Sequence, residues 1–156
     1  MRRFFFILFL IPLLTAVSAQ KSRVVAVTQM IDQKKYEEAK EAIELAVWND
    51  KTSSWPRTYY VRGLLCQTAF EDGFEKREVK KTGLYPDQLY LAYSSYERAL
   101  ELDLRKKLYT TISQKYYLLS NDFRNLGKRH FMNADYEDAF RAFEHALQIN
   151  NSELIQ

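Results

Sequence analysis

Tyr36–Asp50 reads YEEAKEAIELAVWND, Leu89–Asp103 reads LYLAYSSYERALELD and Tyr136–Asn150 reads YEDAFRAFEHALQIN, and the three align without a gap. Each carries an alanine, a large residue four positions on, and a second alanine three further on: Ala39/Ile43/Ala46, Ala92/Tyr96/Ala99 and Ala139/Phe143/Ala146. Steps of four and three put all three residues on one face of a helix. The small residues at either end let a neighbouring helix come close, and the large one fills the space between them. The pattern predicts three copies of one packing helix.

A partner helix is clearest before the third copy, where Phe123-x-x-Leu126-Gly127-x-x-His130 precedes Ala139. Together these residues resemble the tetratricopeptide repeat, whose signature is W-x-x-L-G-x-x-Y, then A-x-x-x-F, an Ala and a Pro. Phe123 stands for the Trp, His130 for the Tyr, and Asn151 replaces the closing Pro. The second copy keeps Tyr59, Gly63 and Cys66 but has Arg62 where the family has Leu, and the first has Val27 at the glycine position and Met30 at the aromatic one. The resemblance implies an all-α, right-handed α-solenoid of about three helix-turn-helix units, repeats 20–53, 56–104 and 105–153 within a domain spanning 20–156.

Departures from the family period are local. Gly127 and Ala139 are 12 apart but Gly63 and Ala92 are 29 apart, so 17 extra residues enter repeat two. They fall at about 71–88 (EDGFEKREVKKTGLYPDQ), a charged stretch with Gly73, Gly83 and Pro86 that reads as a loop insert, Pro86 opening the next helix. Eleven more precede repeat three. There Ile112, Tyr116, Leu119, Phe123, Leu126 and His130 keep the helical spacing, which predicts an extended first helix.

Residues 1–19 are read separately. Met1-Arg2-Arg3, the apolar run Phe4 to Leu14 and Val17-Ser18-Ala19 have the anatomy of a secretory signal peptide cleaved after Ala19. The run is shorter than the roughly 20 residues a spanning helix needs, and Pro12 breaks it. Cleavage lowers the formal charge from +3 to +1, since Arg2 and Arg3 leave. The remaining chain is expected to be periplasmic or secreted and to lack an integral membrane segment. It has no basic face of the kind nucleic-acid binding requires.

Residue types that carry chemistry do not converge. One cysteine precludes an intramolecular disulfide, and Cys66 falls where a buried thiol is expected. His130 is expected in the core and His145 among solvent-directed residues. The two lie 15 apart without a paired Cys or carboxylate, so no metal ligand set is expected. The carboxylates of Glu37, Glu38, Glu41, Glu44, Asp135, Glu137, Asp138 and Glu144 are expected on outer, solvated faces. No nucleophile–base pair and no glycine-rich phosphate loop occurs, so neither an enzyme nor a cofactor is expected. Of the tyrosines, Tyr96 is core by register. Tyr85, Tyr90, Tyr93, Tyr116 and Tyr117 are divided between an interface and packing of the insert.

The resemblance implies a concave face that binds another protein or peptide, formed on the first helices by Arg57, Tyr60, Leu64, Gln67 and Thr68, and by Asn121, Arg124, Lys128, Phe131 and Met132. It holds cations and no carboxylate, which suits a segment with apolar side chains and an acid group. Val61 and Asn125 stand where the family's carboxylate-clamp residues would be, so binding of chaperone C-termini is not expected. The expected role is a scaffold or adaptor in the envelope of a Gram-negative bacterium. Alternative readings are the N-terminal targeting arm of a larger envelope protein or enzyme, and a module self-associating through an uncapped C-terminal end. Phe140, Leu147 and Ile149 are expected to face a further helix, which Leu154-Ile155-Gln156 would begin, making this the front part of a longer chain or a chain whose end a partner covers.

Overall fold

The computed structural model describes residues 20–75 and 83–155; the expected signal segment and residues 76–82 of the expected insert lie outside them. The described chain is helical throughout, without a strand. Residues 20–32 form α1, followed by α2 (Tyr36–Trp48), α3 (Pro56–Glu75), α4 (Gln88–Leu102), α5 (Tyr109–Met132) and α6 (Tyr136–Asn150). The three aligned stretches are α2, α4 and α6, and their alanines are buried. The most extensive packing is of α3 on α4 and of α5 on α6. α2 also touches α3, α4 touches α5, and α3 reaches α5. From α2 onward each helix thus packs on its sequence neighbours, and among these helices only the backbone of α5 comes close to that of α6.

Two glycines set the spacing within the main pairs. A Cβ on Gly63 would sit 2.6 Å from the Tyr96 ring of α4, and one on Gly127 would sit 2.7 Å from the Phe143 ring of α6. In both pairs the ring of the large residue of the alanine triplet lies where the partner helix has no side chain. The environments differ, because Tyr96 is wholly buried whereas Phe143 keeps 39% of its surface exposed.

The turns between α1 and α2 and between α5 and α6 also match. Lys34 (φ 59°) and Ala134 (φ 64°) adopt the left-handed conformation two residues before Tyr36 and Tyr136. The amide of Lys35 donates to the Met30 carbonyl, and that of Asp135 to the His130 carbonyl, both at 2.9 Å. A six-to-one bond with a left-handed residue is the Schellman ending, here built without glycine. Between α2 and α3 the hydroxyls of the buried Thr52 and Thr58 donate to the carbonyls of Ala46 (2.7 Å) and Thr52 (2.8 Å). Pro56 then opens α3, where its missing N–H costs nothing.

Several expectations are corrected here. The stretch expected as a loop with at most a short helical turn from Glu71 instead continues α3 through Glu75, and Gly73 does not interrupt the helix. Pro86 does not open the next helix: α4 starts at Gln88 behind Asp87, whose φ of 48° is left-handed. α5 is the longest helix at 24 residues, beginning at Tyr109. Leu154 and Ile155 lie in turns after α6. They fold back half-buried on the core, and the Ser113 hydroxyl donates to the Leu154 carbonyl at 2.6 Å. Ile149 is fully buried rather than facing outward.

The difference between Tyr96 and Phe143 has a measurable consequence. Adding a methyl against an immovable ring costs about 1–3 kcal/mol, against roughly 1 kcal/mol gained when a helical Gly becomes Ala. Gly63→Ala should therefore destabilise by about 1–2 kcal/mol, while Gly127→Ala should stay within about 1 kcal/mol of wild type because Phe143 can swing toward solvent. Urea unfolding monitored by circular dichroism measures both. Equal effects would contradict this packing.

Candidate protein-docking surface

The expected concave residues divide into two groups. On α5, Asn121, Arg124, Lys128, Phe131 and Met132 are all exposed, with Phe131 at 60% and Met132 at 85%. Asn121, Arg124, Lys128 and Phe131 follow steps of three, four and three and so form one stripe. The Arg124 guanidinium donates to the Asn121 side-chain oxygen one turn back, which holds the cation along the helix. Every exposed residue of α5, from Tyr109 to Met132, is uncharged or cationic.

α6 continues this surface with a second stripe. Tyr136, Phe140, Phe143 and Leu147 step by four, three and four, and are exposed by 62%, 69%, 39% and 61%. The adjoining stripe, Ala139, Ala142, Ala146 and Ile149, faces the core, with Phe143 at the border between the two. The two exposed stripes adjoin: the Phe131 and Tyr136 rings meet edge-on at 5.5 Å, and Phe143 lies over Gly127. A contiguous apolar patch with two cations alongside is unusual on a surface that only meets water. Phe140 and Leu147 are exposed as expected, Tyr136 was not singled out, and Phe143, read as core, is half outside. Its ring meets Gly127 on one side, and from α2 onward only the backbone of α5 comes close to that of α6.

On α3 the expected face is largely closed. Arg57, Tyr60, Leu64 and Thr68 are half-buried, and Gln67 is completely buried. Gln67 is removed from the candidate surface for a clear reason. Its Oε1 accepts from the Tyr96 hydroxyl (2.9 Å) and its Nε2 donates to Asp122 Oδ2 (2.9 Å), so the amide links α3, α4 and α5 inside the protein. The repeat resemblance gave Gln67 a face but not a depth, and contacts with α5 close over it.

Further clusters hold the scaffold that presents the surface. Arg62, the departure from the family signature, makes a two-pronged bond to Glu44 of α2 (2.8 and 3.0 Å), and the Tyr85 hydroxyl donates to the same carboxylate (2.9 Å). Lys40 donates to the Leu84 carbonyl (2.7 Å), and Gln88 to that of Cys66 (2.8 Å). Residues 84–88 are thereby fastened onto α2 and α3. Glu44 is thus no solvated carboxylate, contrary to expectation. Cys66 is fully buried, as its register predicts, and desolvation pushes its thiol up to about 12, which keeps it protonated and inert. His145, expected among solvent-directed residues, stacks on Tyr90 (4.8 Å), Phe123 (5.3 Å) and Tyr93 (5.6 Å). His130 is half-buried, with Nδ1 3.6 Å from Asp135. Of the remaining tyrosines, Tyr85 and Tyr116 are buried, Tyr90 and Tyr93 are half-buried, and Tyr117 is 64% exposed.

No family model, no curated protein and no solved structure matches this chain. The surface is therefore interpreted from its own chemistry.

The buried carboxyl beneath it makes stability depend on pH. Desolvation raises Asp122 to about 7 from 3.8; the charge and hydrogen bond of Glu71 add to this, while the Gln67 amide and Lys115 oppose it. A raised carboxyl pKa stabilises the fold fully below the unfolded value, and that stabilisation is lost as pH rises through about 7. Asp122→Asn keeps the acceptor for Gln67 and stays neutral. It should exceed wild type by about 1 kcal/mol or more at pH 8, with the advantage disappearing by about pH 4. Parallel wild-type and variant stability profiles in urea across this range would contradict the assignment.

Proposed function

We propose that this chain is a helical-repeat protein-interaction module of tetratricopeptide type, exported to the bacterial envelope, which docks another polypeptide on the open face of α5 and α6. The observation that carries the reading is the exposed stripe of Tyr136, Phe140, Phe143 and Leu147 beside Arg124 and Lys128. An apolar stripe at helical spacing matches what an incoming helix or extended segment buries. The cations favour a ligand bearing carboxylates, and a guanidinium can grip one through two parallel bonds. The repeated glycine–ring contacts and the matched turns support a repeat architecture, in which Ala39, Ile43 and Ala46, Gly63 with Ala92, Tyr96 and Ala99, and Gly127 with Ala139, Phe143 and Ala146 are the structural signature. Helical repeats bury their apolar faces against neighbours and bind partners on what stays open.

A photoreactive amino acid at Phe140 or Lys128, introduced in the source cells, should give discrete higher-mass adducts on illumination. The same group at Glu101, exposed on α4 away from the stripe, should give none. Adducts from Glu101 alone, or from none of the three, would overturn the reading.

A further inference from the structure

All five exposed side chains of α2 are carboxylates or large apolar groups: Glu37, Glu38, Glu41, Leu45 and Trp48. No cation lies among them. Leu45 is 74% and Trp48 83% exposed, so this helix presents almost its whole tryptophan to water. Glu38, Glu41, Leu45 and Trp48 step by three, four and three, which aligns acids and apolar groups in one stripe. Lys40, the one cation of α2, is turned inward onto the Leu84 carbonyl and the Tyr85 ring, so it does not neutralise the stripe.

The open face of α5 is its counterpart. Arg124 and Lys128 are its only exposed charges, and Phe131 and Met132 follow them toward the α6 stripe. Acid and apolar groups on one helix match cation and apolar groups on another, at the same helical spacing. We propose that the occupant of the α5–α6 face is α2 of a second copy of this chain. This rests on the reading of that face as a docking surface and names its partner. The contact is head to tail, because the two surfaces are different parts of the molecule and one copy can use both at once. A heterologous contact that does not close into a ring grows into an open chain of subunits. On α6, Glu137 and Glu144 stand next to Tyr136 and Phe143 and would repel the α2 carboxylates. The docked α2 therefore lies across the pair, with Glu38 and Glu41 of its N-terminal half on α5 and Leu45 and Trp48 of its C-terminal half over α6.

Opposite charges across a rim set orientation and lose strength when salt screens them. Sedimentation velocity of the purified chain should show growth with concentration, reduced when ionic strength is raised from about 0.05 M to about 0.5 M. Arg124→Glu with Lys128→Glu, and separately Glu38→Lys with Glu41→Lys, should each weaken association by about 100-fold, since like charges then face each other. All four residues are exposed, and circular dichroism verifies that each variant is folded. The decisive sample is the equal mixture of the two variants, in which every α2 again meets an α5 of opposite charge and association should return. A wild-type chain that stays monomeric to about 1 mM, variants that associate like wild type, or a mixture that fails to associate would each overturn the proposal. Photo-adducts at Phe140 to a different protein, with the chain itself monomeric, would leave α5–α6 a docking face while excluding a second copy as its occupant.

Discussion

The backbone at Gly63 and Gly127 comes within contact of an aromatic ring from the following helix, and the rest of the packing is built out from those two points. With any side chain at Gly63, α4 would have to retreat and Tyr96 would shift with it. Tyr96 is the residue whose hydroxyl reaches Gln67, and Gln67 in turn reaches Asp122. One close approach between α3 and α4 therefore fixes a buried polar link to α5. A ring without that hydroxyl could fill the space but would leave Gln67 buried with an unpaired oxygen, at a cost of about 1–3 kcal/mol.

The second approach works under a different constraint. Phe143 fills the gap above Gly127 but has solvent on its outer side, together with Tyr136, Phe140 and Leu147. The contact that joins α6 to α5 thus also builds the surface proposed to bind protein. α5 serves both purposes: Ile112, Tyr116, Leu119 and Phe123 are buried on its inner side, while Arg124 and Lys128 stand outside. The stripe from Asn121 to Met132 covers the last half of this helix, about 18 Å at 1.5 Å per residue, enough to engage about three turns of a partner helix.

The helices and their buried faces were legible because alanine and large residues at steps of four and three report burial directly. Ala39, Ile43 and Ala46 in α2 and Ala92, Tyr96 and Ala99 in α4 are all in the core. The rest depended on partners distant in sequence, which local periodicity does not encode. The resemblance put Gln67 on a concave binding face, yet it is buried and bonded to Asp122, 55 residues away. Arg62 looked like a lost leucine, yet it pairs with Glu44 across to α2. The α5 residues of the candidate surface that the resemblance implied, Asn121, Arg124, Lys128, Phe131 and Met132, are all exposed. The α6 half was obscured because Phe143 carries a core signature and its exposure depends on what does not pack against it.

The account depends most directly on the glycine–ring approach, and a double-mutant cycle between Gly63 and Tyr96 measures it. Alanine at Gly63 clashes with the Tyr96 ring, so Tyr96→Leu should relieve that clash while opening a cavity of its own. The expected result is a favourable coupling of at least about 1 kcal/mol, the double variant being more stable than the sum of the single losses implies. Additive losses, equal to within about 0.5 kcal/mol, would contradict the account, because two independent residues could not be setting the distance between α3 and α4 together.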